Sequence, residues 1–141
     1  MNRLFRPTSL AALLLIAGLS TARCGDDDPI TPTEPSPTEF TENFADSLTL
    51  NGGITHQFVV QRAGNVAARI SALTPSDAVI GLSLGPLSSQ GCTQAIANDA
   101  ASSGTVIVGT ATSLGNFCVR VYDSRGQLSG AVSYELTVTH F

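Results

Sequence analysis

The chain has 141 residues, with seven Arg, no Lys and eleven Asp or Glu, and its formal net charge at pH 7 is −4. Three of the Arg precede residue 24, so the remainder carries four Arg against eleven acids, a formal charge of −7. An acidic chain without Lys has no electrostatic attraction for nucleic acid or for an anionic membrane surface, which excludes both classes of partner.

The first 23 residues have the pattern of a bacterial secretory signal peptide. Arg3 and Arg6 form a short basic segment, and an apolar run follows from Leu10 to Leu19. A run of this length is too short to span a bilayer, which takes about 20 residues in a helix. A basic start, a short apolar core and small residues before a polar segment are typical of export signals, so we expect an exported protein.

The cleavage point of this signal has two interpretations. Thr21-Ala22-Arg23-Cys24 resembles a bacterial lipobox, which implies a lipid on Cys24 and stable membrane anchoring through two or more acyl chains. Arg23 stands where a lipobox normally has a small residue, so the alternative is cleavage after Ala22, which yields a soluble secreted protein with a free Cys24. By resemblance to enterobacterial sorting rules, Gly25 implies the outer membrane of the cell envelope, facing either the periplasm or the cell surface.

The cysteine count favours the lipoprotein interpretation. The chain has three Cys, and one disulfide leaves one of them over. Lipidation of Cys24 accounts for the odd cysteine and leaves Cys92 and Cys118, which are expected to form a disulfide in an oxidising compartment. This bond would hold the long loop 88–104 against the strand that contains Cys118. Two cysteines so far apart lack the paired short spacings of a zinc site.

Residues 24–39 are predicted to be a disordered tether between the lipid and the folded domain. Three consecutive aspartates come first, and four prolines then alternate with Thr, Ser and Glu. Proline at this density favours extended conformations, and so polar a segment cannot form a packed core. The folded domain therefore covers residues 40–141 and carries four Arg against six acids.

Residues 40–141 have the alternating pattern of an all-β domain. Stretches in which apolar residues alternate with polar or small ones are separated by Gly, Asn, Asp or Pro. We predict strands at residues 40–50, 54–61, 66–72, 80–85, 105–111, 116–123 and 131–141. A strand about every ten residues is typical of a sandwich or a barrel. After residue 24, only residues 93–101 have a pattern that allows a short helical turn.

The last two stretches carry a family resemblance. Gly-Asn-Phe-Cys-Val-Arg-Val at residues 115–121, followed by Tyr-Glu-Leu-Thr-Val at residues 134–138, is similar to the closing hairpin of the bacterial pre-peptidase C-terminal domain family. Phe-Val-Val at residues 58–60, with Ala63-Gly64 after it, matches the first half of that family, so the resemblance covers about residues 44–140. The resemblance implies a jelly-roll-like antiparallel β-sandwich, here of about seven to eight strands, with a non-catalytic accessory role.

The sequence predicts neither a catalytic site nor a metal or cofactor site. His56 and His140 are the only histidines, both on predicted strands, and neither has a second ligand at metal-binding spacing. We expect each to be an ordinary surface side chain. There is no cluster of acids at a strand end that would suggest a glycosidase. Asp77 is the one acid left where the resembling family has an aspartate-rich strand, so a calcium site like that of some members is not expected.

Arg120, Tyr122 and Asp123, next to the loop 88–104, form our candidate contact surface. Alternation along the strand places Tyr122 on the face opposite to the core, whereas Tyr134 aligns with the core positions of its own strand. The leading hypothesis is a non-enzymatic, lipid-anchored cell-envelope module that binds an envelope protein or another surface component such as a glycan. The alternatives are an accessory domain that binds polysaccharide or calcium, a soluble secreted protein, and last a small hydrolase.

Overall fold

The computed structural model of this protein describes residues 36–141. The predicted signal peptide, Cys24 and most of the predicted tether lie outside the described residues, so these remain predictions. Residues 36–39 are exposed and have no regular secondary structure. The described part of the chain contains no helix long and apolar enough to cross a membrane.

The described chain is all-β, as predicted. Its nine strands are β1 (Phe40–Leu48), β2 (Gly53–Val60), β3 (Gly64–Thr74), β4 (Ile80–Ser88), β5 (Gly91–Cys92), β6 (Ile96–Ala101), β7 (Val106–Ala111), β8 (Gly115–Tyr122) and β9 (Val132–His140). Strand β5 is only two residues long, so the predicted count of seven to eight is close.

The strands form two antiparallel sheets that pack as a sandwich. Sheet A has the order β1-β9-β3-β7, and sheet B has β2-β8-β4, with β5 and β6 both paired to β4. Nearly every connection crosses from one sheet to the other, and only β4, β5 and β6 follow one another within a sheet. Apart from the two-residue β5, each sheet has four strands, and two sheets connected in this way form a jelly roll, so the predicted jelly-roll-like antiparallel β-sandwich is confirmed.

The core lies between the sheets and follows the period-two pattern of the sequence. Along β9, Val132, Tyr134, Leu136 and Val138 are buried, and the residues between them face outward or are only half-buried. The predicted core position of Tyr134 is therefore confirmed. Sheet B contributes a matching inner row of aliphatic side chains from its two central strands, namely Ile80, Leu82, Leu84, Val119 and Val121. Each such side chain stabilises the fold by about 1.5–3 kcal/mol through its removal from water.

The region predicted as a loop with a possible helical turn contains a strand instead, so that prediction is wrong. Residues 96–101 form strand β6, which pairs with β4 from Ile80–Ala101 to Leu84–Ile96. The sequence of β6 is Ile-Ala-Asn-Asp-Ala-Ala, whose Ala, Asn and Asp are disfavoured in strands. The backbone of β4 provides hydrogen-bonding partners for this segment, and the local sequence does not predict that pairing. Pairing with β4 therefore overrides the low strand propensity of these residues.

Candidate interaction surface

The predicted disulfide between Cys92 and Cys118 is present, with sulfur atoms 2.08 Å apart and Cα atoms 5.7 Å apart. It connects β5 to β8, and the chain after Cys92 passes directly over β4. A Cβ atom at Gly85 would overlap the carbonyl oxygen of Thr93, so this crossing needs a glycine below it. The disulfide and the crossing together hold residues 93–95 against the outer face of sheet B.

Tyr122 lies against this same outer face and is fixed from two sides. Its ring occupies the space above Gly81 on the neighbouring strand, where any Cβ atom would overlap the ring carbons. Its hydroxyl donates a hydrogen bond to the carboxylate of Asp99 on β6, and Gln94 Nε2 donates to the hydroxyl oxygen over 3.4 Å. Tyr122 is half-buried. Partial burial first, and then the hydrogen bond and the charge of Asp99, raise the pKa of Tyr122, so its hydroxyl stays protonated at neutral pH.

Arg120 lies beside Tyr122 on the same strand and is also seated over a glycine. Its guanidinium carbon is 5.7 Å from the centroid of the Tyr122 ring, a cation–π distance. A Cβ atom at Gly53 would lie 2.6 Å from its Nη2, so the guanidinium occupies the space above that glycine. The single contact at salt-bridge distance within residues 36–141 joins His140 to Glu42, so Arg120 has no carboxylate partner in this part of the chain.

These residues make a polar and aromatic surface, which we call the Tyr122 platform: Tyr122, Arg120, Gln94 and Asp99 above Gly53 and Gly81. Arg120 and Tyr122 are predicted contact residues, and the structure brings them together. Gln94 and Asp99 are not among the predicted residues, because both lie in the segment that the sequence predicts to be a loop. The disulfide was the one available signal, since it requires residues near Cys92 to lie close to β8.

Asp123, the third predicted contact residue, is hydrogen-bonded to the backbone of the adjacent loops. Its carboxylate accepts hydrogen bonds from the backbone N–H groups of Asn51 (3.0 Å), Gln127 (3.2 Å) and Leu128 (3.4 Å). Desolvation alone would raise the pKa of Asp123, but these backbone hydrogen bonds outweigh it and lower that pKa. Asn51 adopts a φ of 55° in the predicted turn after β1, so Asp123 ties this turn to the loop after β8.

The two histidines are not ordinary surface side chains, contrary to the sequence-based expectation. His140 is only 2% exposed, and its Nε2 lies 3.0 Å from Glu42 Oε1. His56 is half-buried, its Nε2 lies 2.7 Å from the Tyr134 hydroxyl, and its ring stacks on Phe44 with centroids 4.7 Å apart. Both point inward, because β2 and β9 alternate and these positions fall on their core faces. Each histidine therefore contributes to the contact between the two sheets.

No group of three or more His, Cys, Asp or Glu side chains in residues 36–141 is placed to hold a metal ion. The described acids are instead dispersed over the domain. Two of those nearest the predicted surface already accept hydrogen bonds from other groups, Asp99 from Tyr122 and Asp123 from the loop backbone.

Comparison with known proteins adds information about the fold. No protein-family model matches the chain, and no curated protein sequence matches it. Among solved structures, the chain is similar to PliG of Aeromonas hydrophila, a periplasmic lysozyme inhibitor of g-type lysozyme. The TM-score is 0.53 and the identity is 14%, over 70% of this chain and 83% of that chain. At this identity the similarity shows a shared β-sandwich fold, and the resemblance to the pre-peptidase C-terminal family stays a prediction.

Proposed function

We propose that this chain is a non-enzymatic cell-envelope module that binds a protein partner through the Tyr122 platform. The observation that carries this proposal is that two large side chains, Tyr122 and Arg120, are seated over Gly81 and Gly53 while remaining accessible. Tyr and Arg are among the residues that most often dominate binding energy at protein interfaces. Side chains that are already ordered lose little conformational entropy on binding, which favours affinity.

The positions of the histidines support a non-enzymatic role. His56 Nε2 is hydrogen-bonded to Tyr134, and His140 Nε2 is hydrogen-bonded to Glu42. A general base must reach a proton on a substrate or a nucleophile. Both imidazoles instead face partners between the sheets.

Export and anchoring are part of the proposal. A disulfide such as Cys92–Cys118 persists in oxidising compartments, which agrees with a signal peptide at residues 1–23. We infer that Cys24 carries the lipid and that residues 24–39 hold the domain away from the outer membrane. Cleavage after Ala22, which would leave a free Cys24 on a soluble protein, is the alternative. The intact mass of the exported protein distinguishes the two products, because acyl chains add mass only to the anchored one.

The similarity to PliG suggests the first partner to test. PliG is an inhibitor of g-type lysozyme and has the same fold as this chain. A g-type lysozyme is therefore a reasonable first protein partner, with binding and inhibition of lysis measured separately. Polysaccharide binding through the Tyr122 ring is the second candidate, because a half-buried aromatic ring flanked by polar side chains also suits a sugar.

The test compares single substitutions in the full exported chain. Tyr122→Ala is expected to weaken binding to g-type lysozyme at least 10-fold, and Arg120→Ala by a similar or smaller factor. Gly81→Ala is the sharper variant, because it leaves both binding side chains in the sequence but displaces the Tyr122 ring. Arg69→Ala is the matched control, since Arg69 is an exposed arginine on β3, in the other sheet.

Equal losses for Arg69→Ala and Arg120→Ala would contradict the proposed surface. If the wild-type chain does not bind lysozyme, a photocrosslinking residue in place of Gln94 is compared with one in place of Thr41, which is exposed on β1. Protein adducts at residue 94 and not at residue 41 would support the platform with a different partner. Adducts at neither position would contradict a protein-binding role, and titration with soluble peptidoglycan fragments would then test the second candidate.

A further inference from the structure

Strand β7 forms one edge of sheet A and, among the strands of residues 36–141, pairs only with β3. The backbone N–H of Ile70 donates to the carbonyl of Thr105 over 3.0 Å, next to the Arg69–Val106 pair of the register. In an antiparallel strand pair, successive residues direct their backbone N–H and C=O groups alternately toward the partner strand and away from it. Ile107 and Gly109 therefore direct these groups toward β3. The backbone groups of Val106, Val108 and Thr110 face the free side, where they meet no strand within residues 36–141.

Within residues 36–141, this edge has none of the usual protection against pairing with another strand. Natural edge strands commonly carry charged residues or proline, or are covered. The edge strand β1 carries Glu42 and Asp46, and the edge strand β6 carries Asp99. Strand β7 lies within residues 100–119, which contain no charged residue and no proline. The side chains of Val106 and Val108 are 49% and 54% exposed.

We propose that β7 pairs antiparallel with β7 of a second copy of this chain, about a two-fold axis at Val108. The free backbone N–H and C=O groups of Val106, Val108 and Thr110 would then form hydrogen bonds with the same groups of the partner copy. Sheet A of each copy has four strands, so the pairing would join the two into one continuous sheet. An interface of this kind is self-complementary, as a two-fold dimer requires. The proposal does not depend on the proposed function, because the Tyr122 platform lies on the other sheet.

The side chains of β7 suit pairing with an identical strand. On the outer face, Val108 would lie opposite Val108 of the partner copy, and Val106 would lie opposite Thr110. These are pairs of β-branched side chains, which favour cross-strand contact. On the inner face, Ile107 would lie opposite Gly109, so a large side chain meets the position that has none.

Gly109 borders an apolar cleft of about 270 Å³ between the sheets, at the side where β6 and β7 approach each other. The lining of this cleft includes Leu84, Ile96 and Phe117. A Cβ atom at Gly109 would lie 3.0 Å from Ile96 Cδ1, so a larger side chain on β7 itself is poorly accommodated. A side chain from an added strand would instead cover the mouth of the cleft from the free side.

Charge favours a second copy over a charged peptide as the occupant. A basic partner strand would bring a like charge near Arg69, the exposed residue that pairs with Val106, and β7 itself has no charge that could pair with an acidic or a basic strand. A second copy brings an equally uncharged strand, and no like charges face each other. One strand pair gives an interface at the small end of the specific range, so we expect a dissociation constant in the micromolar range.

Site-specific crosslinking in the full exported chain tests both the contact and its register. Val108→Cys is expected to form a disulfide-linked dimer on non-reducing gels, because facing residues in an antiparallel pair have Cα atoms within disulfide range. Val59→Cys is the matched control, since Val59 is 53% exposed and lies on β2, an edge strand of the other sheet. The wild-type chain measures any dimer that forms through Cys24.

The register gives a stricter criterion. Val106→Cys alone is expected to give little dimer, whereas coexpressed Val106→Cys and Thr110→Cys chains are expected to crosslink with each other. Val108→Lys is expected to weaken the dimer at least 10-fold in sedimentation equilibrium, and Val59→Lys is expected to leave it unchanged. Equal crosslinking at residues 59 and 108, or a wild-type chain that is monomeric at several hundred micromolar, would overturn the proposal.

Discussion

The two tyrosines of this chain have opposite surroundings, although each engages its hydroxyl in a hydrogen bond. Tyr134 lies between the sheets and is 2% exposed, with its hydroxyl 2.7 Å from His56 Nε2. Tyr122 lies on the outer face of sheet B above Gly81, half-buried, with its hydroxyl bonded to the exposed Asp99. Tyr134 is enclosed and can only stabilise the fold. Tyr122 is ordered but still accessible, and that combination is what a docking residue needs.

The largest expected difference between Tyr134 and Tyr122 is in how much each side chain contributes to the free energy of unfolding. Tyr134→Ala should reduce the free energy of unfolding by about 3–5 kcal/mol, because it empties a core position and leaves His56 without its partner. Tyr122→Ala should cost less than about 1 kcal/mol, since the ring packs on one face only. Denaturant unfolding of both variants, followed by circular dichroism, measures the two values.

Tyr134→Phe is the control for the core tyrosine, because it removes only the hydroxyl and should cost about 1 kcal/mol. A loss for Tyr122→Ala as large as that for Tyr134→Ala would mean that the Tyr122 platform is a structural element. The role of Tyr122 in docking would then lose its support.

The Cys92–Cys118 disulfide is a second difference between the surroundings of Tyr122 and Tyr134. It lies at the edge of the Tyr122 platform and is not among the contacts of Tyr134. The Cys92→Ser, Cys118→Ser double variant is expected to lose about 3–4 kcal/mol, because the bond closes a loop with a sequence separation of 26. Export should persist, and partner binding should weaken because residues 93–95 lose one of their attachments to sheet B. The thermal midpoint of the variant and of the reduced wild-type protein tests this, and a double variant that melts like the wild type would contradict it.

Most of the sandwich was predictable from the sequence because its strands alternate cleanly. The faces of Tyr122 and Tyr134 followed from the period of two, and the Cys92–Cys118 bond followed from the cysteine count in an exported chain. Strand β6 was not predictable, because Ala, Asn and Asp form a strand there only through pairing with β4.

The platform was predictable only in half, for a related reason. Arg120 and Tyr122 are neighbours on one strand, so alternation alone places them on one face. Gln94 and Asp99 lie next to Tyr122 because β6 pairs with β4 and because the disulfide holds the preceding segment against sheet B. The register of the strands places a glycine under each large side chain, since Gly53 and Gly81 both pair with Tyr122. Register between distant strands is not encoded in any local pattern. The burial of His140 was missed in the same way, because its contacts come from β1 and β2.

The smallest expected effect is a pH dependence of stability that belongs to the buried region alone. Burial lowers the pKa of His56 and outweighs the opposing influence of the Asp46 carboxylate. The folded protein therefore binds fewer protons at His56 than the unfolded chain, where an ordinary histidine titrates near pH 6.5. The contribution of neutral His56 is present above about pH 6.5 and is lost as the pH falls below that value.

Free energies of unfolding measured from pH 7 to pH 5 test this for the wild type and for His56→Gln, which keeps a hydrogen-bonding side chain but does not titrate. As the pH falls, the free energy of unfolding should decrease more steeply for the wild type than for His56→Gln. The extra loss should be smaller than the losses expected for the Tyr134→Ala and disulfide variants. The Asp123 carboxylate has a lowered pKa, so its contribution to stability is lost only at lower pH in both proteins. Parallel curves would show that the Tyr134–His56 contact tolerates protonation, and the contrast between the two tyrosines would then rest on packing and exposure rather than on charge.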